Sequence, residues 1–207
     1  MKMKRARCHP RAVFLTLVTV TLSACATVRQ PIPELSYSRS PGLAIQVILR
    51  APPGFIGATP DRIYFAKIDG NGPGRHQVVP ANYSKNGRAY LLNSQPGNYV
   101  AVAAVSLLGT NRIITHFSSD LVEQTEVTVR ENEFAFMGSY RVSLSVGLDQ
   151  EQGLPANWTD ALLMGLAGEY HYRGALLERK NDEQARTEFF KNARQDLAGS
   201  SWVARIR

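Results

Sequence analysis

The sequence predicts a mainly β fold: an antiparallel β-sandwich over residues 42–148, with a C-terminal α-rich segment, 149–207, packed on it. Three observations carry this expectation. Short runs rich in Val, Ile, Tyr and Phe are broken by Gly, Pro and Asn about every ten residues, the spacing of sandwiches and barrels. Two breaks have defined turn chemistry: Asn86-Gly87 suits a hairpin with positive φ at both positions, and Pro96-Gly97 suits the centre of a type II turn. Beyond residue 180 the apolar spacing changes from the strand period to the helix period.

In chain order the expected strands are 43–50, 62–68, 77–83, 88–93, 99–108, 113–118, 126–130 and 134–146. Val127 and Val129 alternate with Glu126, Thr128 and Arg130, a strand with one wet face. Val100 to Val105 is apolar on both faces and reads as a central strand. Past a polar stretch, Asn157 can cap a helix over 158–167, with Asp160 in its first turn. Residues 169–178 alternate Tyr170, Tyr172, Gly174 and Leu176 against His171, Arg173, Ala175 and Leu177; an added strand is preferred there, with a helix left open. A second helix is expected from Asn181 or Asp182 to Leu197, with Gly199 as its stop. Ala185, Phe189, Ala193 and Leu197 line one face of it, beside Phe190, for packing on the sheet, and Trp202 and Ile206 are expected to fix the chain end.

The chain opens with five cations, Lys2, Lys4, Arg5, Arg7 and Arg11, and no acid, followed by an apolar run of 11 residues, 12–22. A bilayer core of about 30 Å takes roughly 20 helical residues, so this is an export-signal pattern and not a permanent span. The run closes on Leu22-Ser23-Ala24-Cys25.

That tetrapeptide resembles the lipobox of bacterial lipoproteins: an aliphatic residue, two small residues, then Cys. Small residues let an extended backbone enter a narrow protease site, and the thiol is the group that accepts a lipid. The resemblance implies a diacylglyceryl group on Cys25, cleavage between Ala24 and Cys25, and acylation of the new amino group, so that the lipid bilayer is a partner. One acyl chain anchors marginally, whereas two or three anchor stably. In Gram-negative lipoproteins of this type an Asp after the Cys resembles an inner-membrane retention signal, so Ala26 favours the outer membrane. Residues 1–24 thus read as a cleaved signal peptide, and 25–41, with Pro31, Pro33 and Pro41, as a lipidated tether.

The formal charge, 24 − 17 = +7, would suggest a phosphate-rich partner. Five of the cations precede Cys25, however, which leaves 19 − 17 = +2 and removes the main support for nucleic acid. Cys8 and Cys25 alone exclude a disulfide framework and a finger-type zinc module. With 44% hydrophobic and 20% charged residues the chain is neither disordered nor polytopic.

The sequence carries no catalytic constellation and no cofactor or metal motif. His76, His116 and His171 lie far apart, and none sits in His-Glu-x-x-His. Glu169-Tyr170-His171 would set two ligands on one strand face but reads as chance placement. No Gly-x-Ser-x-Gly occurs; Gly138-Ser139 lies in a strand-like run, where Gly marks a bulge or a close backbone approach. Asp69-Gly70-Asn71-Gly72-Pro73-Gly74 fails as a calcium loop, because Pro73 and Pro80 stand where oxygen ligands are needed. It fails as a phosphate loop because strand-like residues follow, and so reads as a hairpin tip. Asn82-Tyr83-Ser84 and Asn157-Trp158-Thr159 match a glycosylation sequon that has little force in a bacterial chain. Tyr64, Phe65, Tyr90, Tyr99, Phe117, Phe134, Phe136 and Tyr140 read mainly as core.

The turn Gln95-Pro96-Gly97-Asn98-Tyr99-Val100, the strand Thr125-Glu126-Val127-Thr128-Val129-Arg130, Phe136-Met137-Gly138-Ser139-Tyr140 and the ending 193–202 are similar to small β-sandwich domains of bacterial envelope lipoproteins. This resemblance implies an immunoglobulin- or transthyretin-like sandwich. An anchor, a rigid β-domain and no catalytic set point to a non-enzymatic envelope lipoprotein that binds a protein partner or serves a structural role. The alternative is a small-ligand or glycan binder using a groove between sheet and helix, which an exposed aromatic cluster would favour. An enzyme would need a pocket where His116 or His171 meets an acid and a nucleophile.

Overall fold

The computed structural model describes residues 30–50, 59–68, 77–108, 111–145 and 169–206. The signal segment with Leu22, Ser23, Ala24 and Cys25, the 69–74 tip, His76 and the expected 158–167 helix lie outside the described residues. The chain divides into Met1–Gln30 and Pro31–Arg207, and the fold below is that of the second unit.

The elements are β1 (Gly42–Arg50), β2 (Arg62–Lys67), β3 (Gln77–Pro80), β4 (Tyr83–Lys85), β5 (Arg88–Leu92), β6 (Gly97–Leu108), β7 (Asn111–Phe117), α1 (Ser119–Gln124), β8 (Val127–Val129), β9 (Phe134–Ser145), β10 (Glu169–Lys180) and α2 (Glu183–Asp196). A 3₁₀ turn, Ser201–Arg205, closes the chain. The expected strand over 77–83 divides into β3 and β4. Pro80 brings no N–H to a ladder, and Asn82 turns inward to exchange two hydrogen bonds with the Leu92 backbone at 2.7 and 2.9 Å. At the β4–β5 hairpin Asn86 and Gly87 have φ of 51° and 74°, the positive pair that the dipeptide announces.

The mainly β expectation holds, but the antiparallel two-sheet sandwich does not. The described strands form one mixed sheet, ordered β3-β2-β6-β7-β10-β9-β1-β5-β4 with β8 added to β6, and it curls into a half-barrel. β1 runs parallel to β9, and β7 parallel to β10. Alternation along a strand fixes which residues share a face; it does not fix which distant strand lies alongside.

Each face of the sheet buries its own cluster. The inner face gathers Leu43, Ile45, Val47 and Leu49 of β1 with Ile63, Phe65, Met137 and Val142, and Leu121 of α1 joins them. The outer face, over β5, β1 and the start of β9, carries Ala44, Tyr90, Leu92, Phe134 and Phe136 against Phe189, Phe190 and Ala193 of α2, with Leu197, Trp202 and Ile206 beyond it. Full burial of each large apolar side chain contributes about 1.5–3 kcal/mol. Phe136 and Phe189 set the contact, their ring centroids 4.4 Å apart. α2 starts where the sequence placed it: the Asp182 carboxylate accepts the Ala185 N–H at 2.8 Å, and past the helix end Gly199 turns the chain with φ of 84°.

Gly138 serves the bulge expected of it. Ala44 and Gln46 of β1 face Phe136 and Ser139 of β9, so β9 carries an extra residue, and Gly138 has φ of 129°. A Cβ there would stand 2.9 Å from the Tyr140 hydroxyl, which itself sits 2.6 Å from the Gln124 carbonyl and ties α1 to β9.

The expected tether is corrected on its C-terminal side. Residues 31–41 lie on the body: Ile32 and Leu35 pack on the outer cluster, and Trp202 Nε1 donates to the Pro33 carbonyl at 2.8 Å. Asn93 Nδ2 donates to the Glu34 carbonyl at 2.6 Å, and the Arg205 guanidinium donates to the Ser38 carbonyl. Prolines extend a chain, but here the extended chain finds a strip of apolar surface to cover.

Candidate functional site

Where the N-terminal half of α2 lifts from the sheet, the outer face opens into a cleft of about 400 Å³ between β1, β9, β10 and the helix. The sheet supplies Gln46 and Ile48 from β1, Ser139 and Arg141 from β9, and Glu178 and Lys180 from β10; the helix supplies Gln184, Glu188 and Asn192. The bulge at Gly138 is what aims Ser139 here, because it restores the outward phase of β9 after Phe136.

The cleft is polar and largely self-paired. Ser139 Oγ donates to Gln46 Oε1 at 3.1 Å. Arg141 Nη1 meets Glu178 Oε2 at 2.5 Å, and Lys180 Nζ lies 3.5 Å from Glu178 Oε1. Amides from Gln46, Gln184 and Asn192, the Ser139 hydroxyl, the Glu188 carboxylate and the Ile48 side chain suit a small hydrogen-bonding molecule. Phe189 and Tyr140 border the cleft but are only 2% exposed, so they offer no ring face for stacking. Ser139, the one hydroxyl nucleophile here, is bonded to an amide oxygen and not to a base.

A second polar group sits at the other end of α2. The Asp196 carboxylate, 2% exposed as a residue, receives Arg88 Nε at 2.5 Å, Arg88 Nη2 at 3.0 Å, the Tyr90 hydroxyl at 2.6 Å and Asn86 Nδ2 at 3.2 Å. Burial pulls the Arg88 guanidinium down, but the hydrogen bonds and charge of Asp196 outweigh it and leave it above its ordinary value. Burial, reinforced by Asp196, pushes the Tyr90 phenol well up. Every lone-pair direction of the carboxylate is taken, so the group is a fastening and not a site.

The third grouping is one the sequence does not announce. His116 on β7 and His171 on β10 face outward on neighbouring parallel strands, with His116 Nε2 and His171 Nδ1 2.9 Å apart. Burial first, and the charge of His171 second, hold the His116 imidazole below its ordinary value. Of Glu169 and His171, whose spacing reads in the sequence as chance placement, Glu169 pairs with Arg112 by backbone, and its side chain lies outside the described residues. No spacing rule joins His116 to His171; only the parallel seam of β7 and β10 does. Among the described residues no three His, Cys, Asp or Glu side chains converge on a metal position.

Of the other sequence candidates, Asn82 is committed to the Leu92 backbone, and the strand aromatics are core except for the half-buried Tyr64. No helix of the described residues is long and apolar enough to cross a membrane. No family model matches the chain, and neither the curated proteins nor the solved structures offer a significant likeness.

Proposed function

We propose that the chain is a bacterial envelope lipoprotein, held in the outer membrane through acylated Cys25, with no catalytic role, whose β body engages an envelope protein. The observation that carries this reading is Leu22-Ser23-Ala24-Cys25 standing just ahead of a body that begins at Pro31. Residues 31–41 are fastened to the body through Ile32, Pro33, Glu34 and Leu35, so Cys25 stands six positions ahead of the fastened segment in the chain. The full-length chain and its Cys25→Ala variant, cross-linked in cells and recovered, test this. A partner captured by the first and lost with the second supports the reading; no partner with either overturns it.

The cleft favours a second reading, a binder of a small hydrogen-bonding ligand such as an envelope glycan fragment. Its size, between sheet and helix, supports this, while the covered rings of Phe189 and Tyr140 speak against sugar stacking. Saturable binding of a glycan fragment that Asn192→Leu abolishes, with no protein captured, would reverse the order of the two readings.

A further inference from the structure

His116 and His171 are joined through a single line of atoms. Their ring planes differ by 10° and their centroids are 5.2 Å apart, which is the 2.9 Å nitrogen separation plus the two ring radii. The rings therefore lie edge to edge in nearly one plane, each pointing a nitrogen at the other. One of those nitrogens carries a proton and the other a lone pair. His116 is exposed and His171 half-buried, so the pair opens to solvent on the outer face of the sheet.

We propose that this pair is a binding site for a divalent transition-metal ion of tetragonal preference, Cu²⁺ above Zn²⁺, taken at cis positions by His116 Nε2 and His171 Nδ1. Imidazole nitrogens bind such ions at about 2.0–2.1 Å, so two of them at a right angle stand about 2.9 Å apart, against about 3.3–3.4 Å at a tetrahedral angle. The nitrogens stand at that separation, but their axes meet head-on along the line joining them, so binding turns each ring by about 45° to aim its nitrogen at the ion and replaces the hydrogen bond between them. The bridging proton passes through solvent to the far nitrogen of the ring that held it, so both facing nitrogens become ligands with no change of oxidation state. Water fills the remaining positions.

The surroundings set the limits of affinity. Arg173 stands directly beside His116 across the seam, and Arg112 lies on the same face of β7; both oppose an added cation. From β6, Ala103 and Val105 face the pair and bring no charge, and from β9 Ser145, beside Arg173, brings none. Arg173→Gln should therefore tighten binding.

The test is titration of the full-length chain in detergent with CuCl₂, followed by calorimetry and electron paramagnetic resonance, for the wild type, His116→Asn, His171→Asn and the double variant. The proposal expects two nitrogens coupled to copper in the wild type, one in each single variant, and affinity at least about tenfold weaker for each. It expects ZnCl₂ to bind more weakly than CuCl₂. Circular dichroism and the unfolding midpoint show whether each variant keeps its fold; His116→Asn, at an exposed position, is the substitution least able to disturb it and so the decisive one. Equal copper binding in the double variant would place the metal on other residues and overturn the proposal, as would the absence of wild-type binding below millimolar copper.

Discussion

Arg88 Nε lies 2.5 Å from Asp196 Oδ2, an ion pair whose carboxylate side chain is 1% exposed, and through it the last turn of α2 is locked to the β4–β5 hairpin. The lock covers the same end of the body where Tyr83 donates its hydroxyl to the Asp196 carbonyl at 3.0 Å. Removing one partner of a buried pair strands the other's charge, whereas replacing both with apolar groups of similar volume is often tolerated.

Asp196→Ala should accordingly cost about 3–5 kcal/mol, and the Arg88→Met/Asp196→Leu double variant much less. Urea unfolding of the two checks this. Equal losses would mean that packing, and not stranded charge, carries the contact.

Two glycines on the inner seam are fixed by close approach. A Cβ on Gly174 would meet Thr115 Cγ2 and Val142 Cγ1, each at 2.8 Å, and both neighbours are buried. Gly174→Ala should cost about 1–3 kcal/mol by overpacking. Gly138→Ala adds backbone strain at φ of 129° to a clash with Tyr140, and should cost at least as much. Thermal unfolding midpoints read both; an unchanged midpoint for either would contradict the geometry.

Trp202 holds residues 31–35 to the body by packing and by its bond to the Pro33 carbonyl. Trp202→Phe keeps most of the packing and loses the bond, and should cost about 1–3 kcal/mol. Hydrogen exchange should rise at the Ser36 amide, which bonds to Asn93 Oδ1 in the fastened segment. Exchange unchanged at Ser36 would show that the segment is held by other contacts.

Burial, then the charge of Tyr170, pushes the Tyr172 phenol up to about 12. Burial also raises Tyr140, with Arg179 opposing it, and raises Tyr90 further. The folded chain keeps these protons past the point, near pH 10, where unfolded tyrosines lose them. The stability that Tyr172 contributes is thus complete below about pH 10 and lost as pH rises through about 12, and Tyr140 and Tyr90 act in the same direction. Absorbance at the tyrosinate band and far-ultraviolet circular dichroism should move together in that window. Ionisation of all tyrosines near pH 10 without unfolding would contradict it.

The strands were legible because their signals are local. Asn86-Gly87, the one-faced Val127-Thr128-Val129 and the two-faced run from Val100 to Val105 each show their role within a few residues, and the helix ending at Leu197 shows its cap, stripe and stop. The missed features depend on partners far along the chain. Gly42 of β1 pairs with Phe134 of β9, and Glu169 of β10 with Arg112 of β7; no local pattern records either parallel match. α1 is six residues long, too short for a period to appear. A groove between sheet and helix could be expected from the amphipathic α2, but its polar lining follows from the bulge at Gly138, and the His116–His171 pair from a strand neighbour 55 residues away. The docking of 31–41 was hidden because a proline-rich strip looks the same whether it crosses water or protein.

The proposed function stands or falls with the lipid on Cys25, which the mass of the amino-terminal peptide of the chain purified from a bacterial membrane reads without an intermediary. An anchored lipoprotein yields a peptide that begins at Cys25 and carries a diacylglyceryl group with a further acyl chain on its amino group. An amino terminus at any other residue, or a Cys25 with a free thiol, would contradict it.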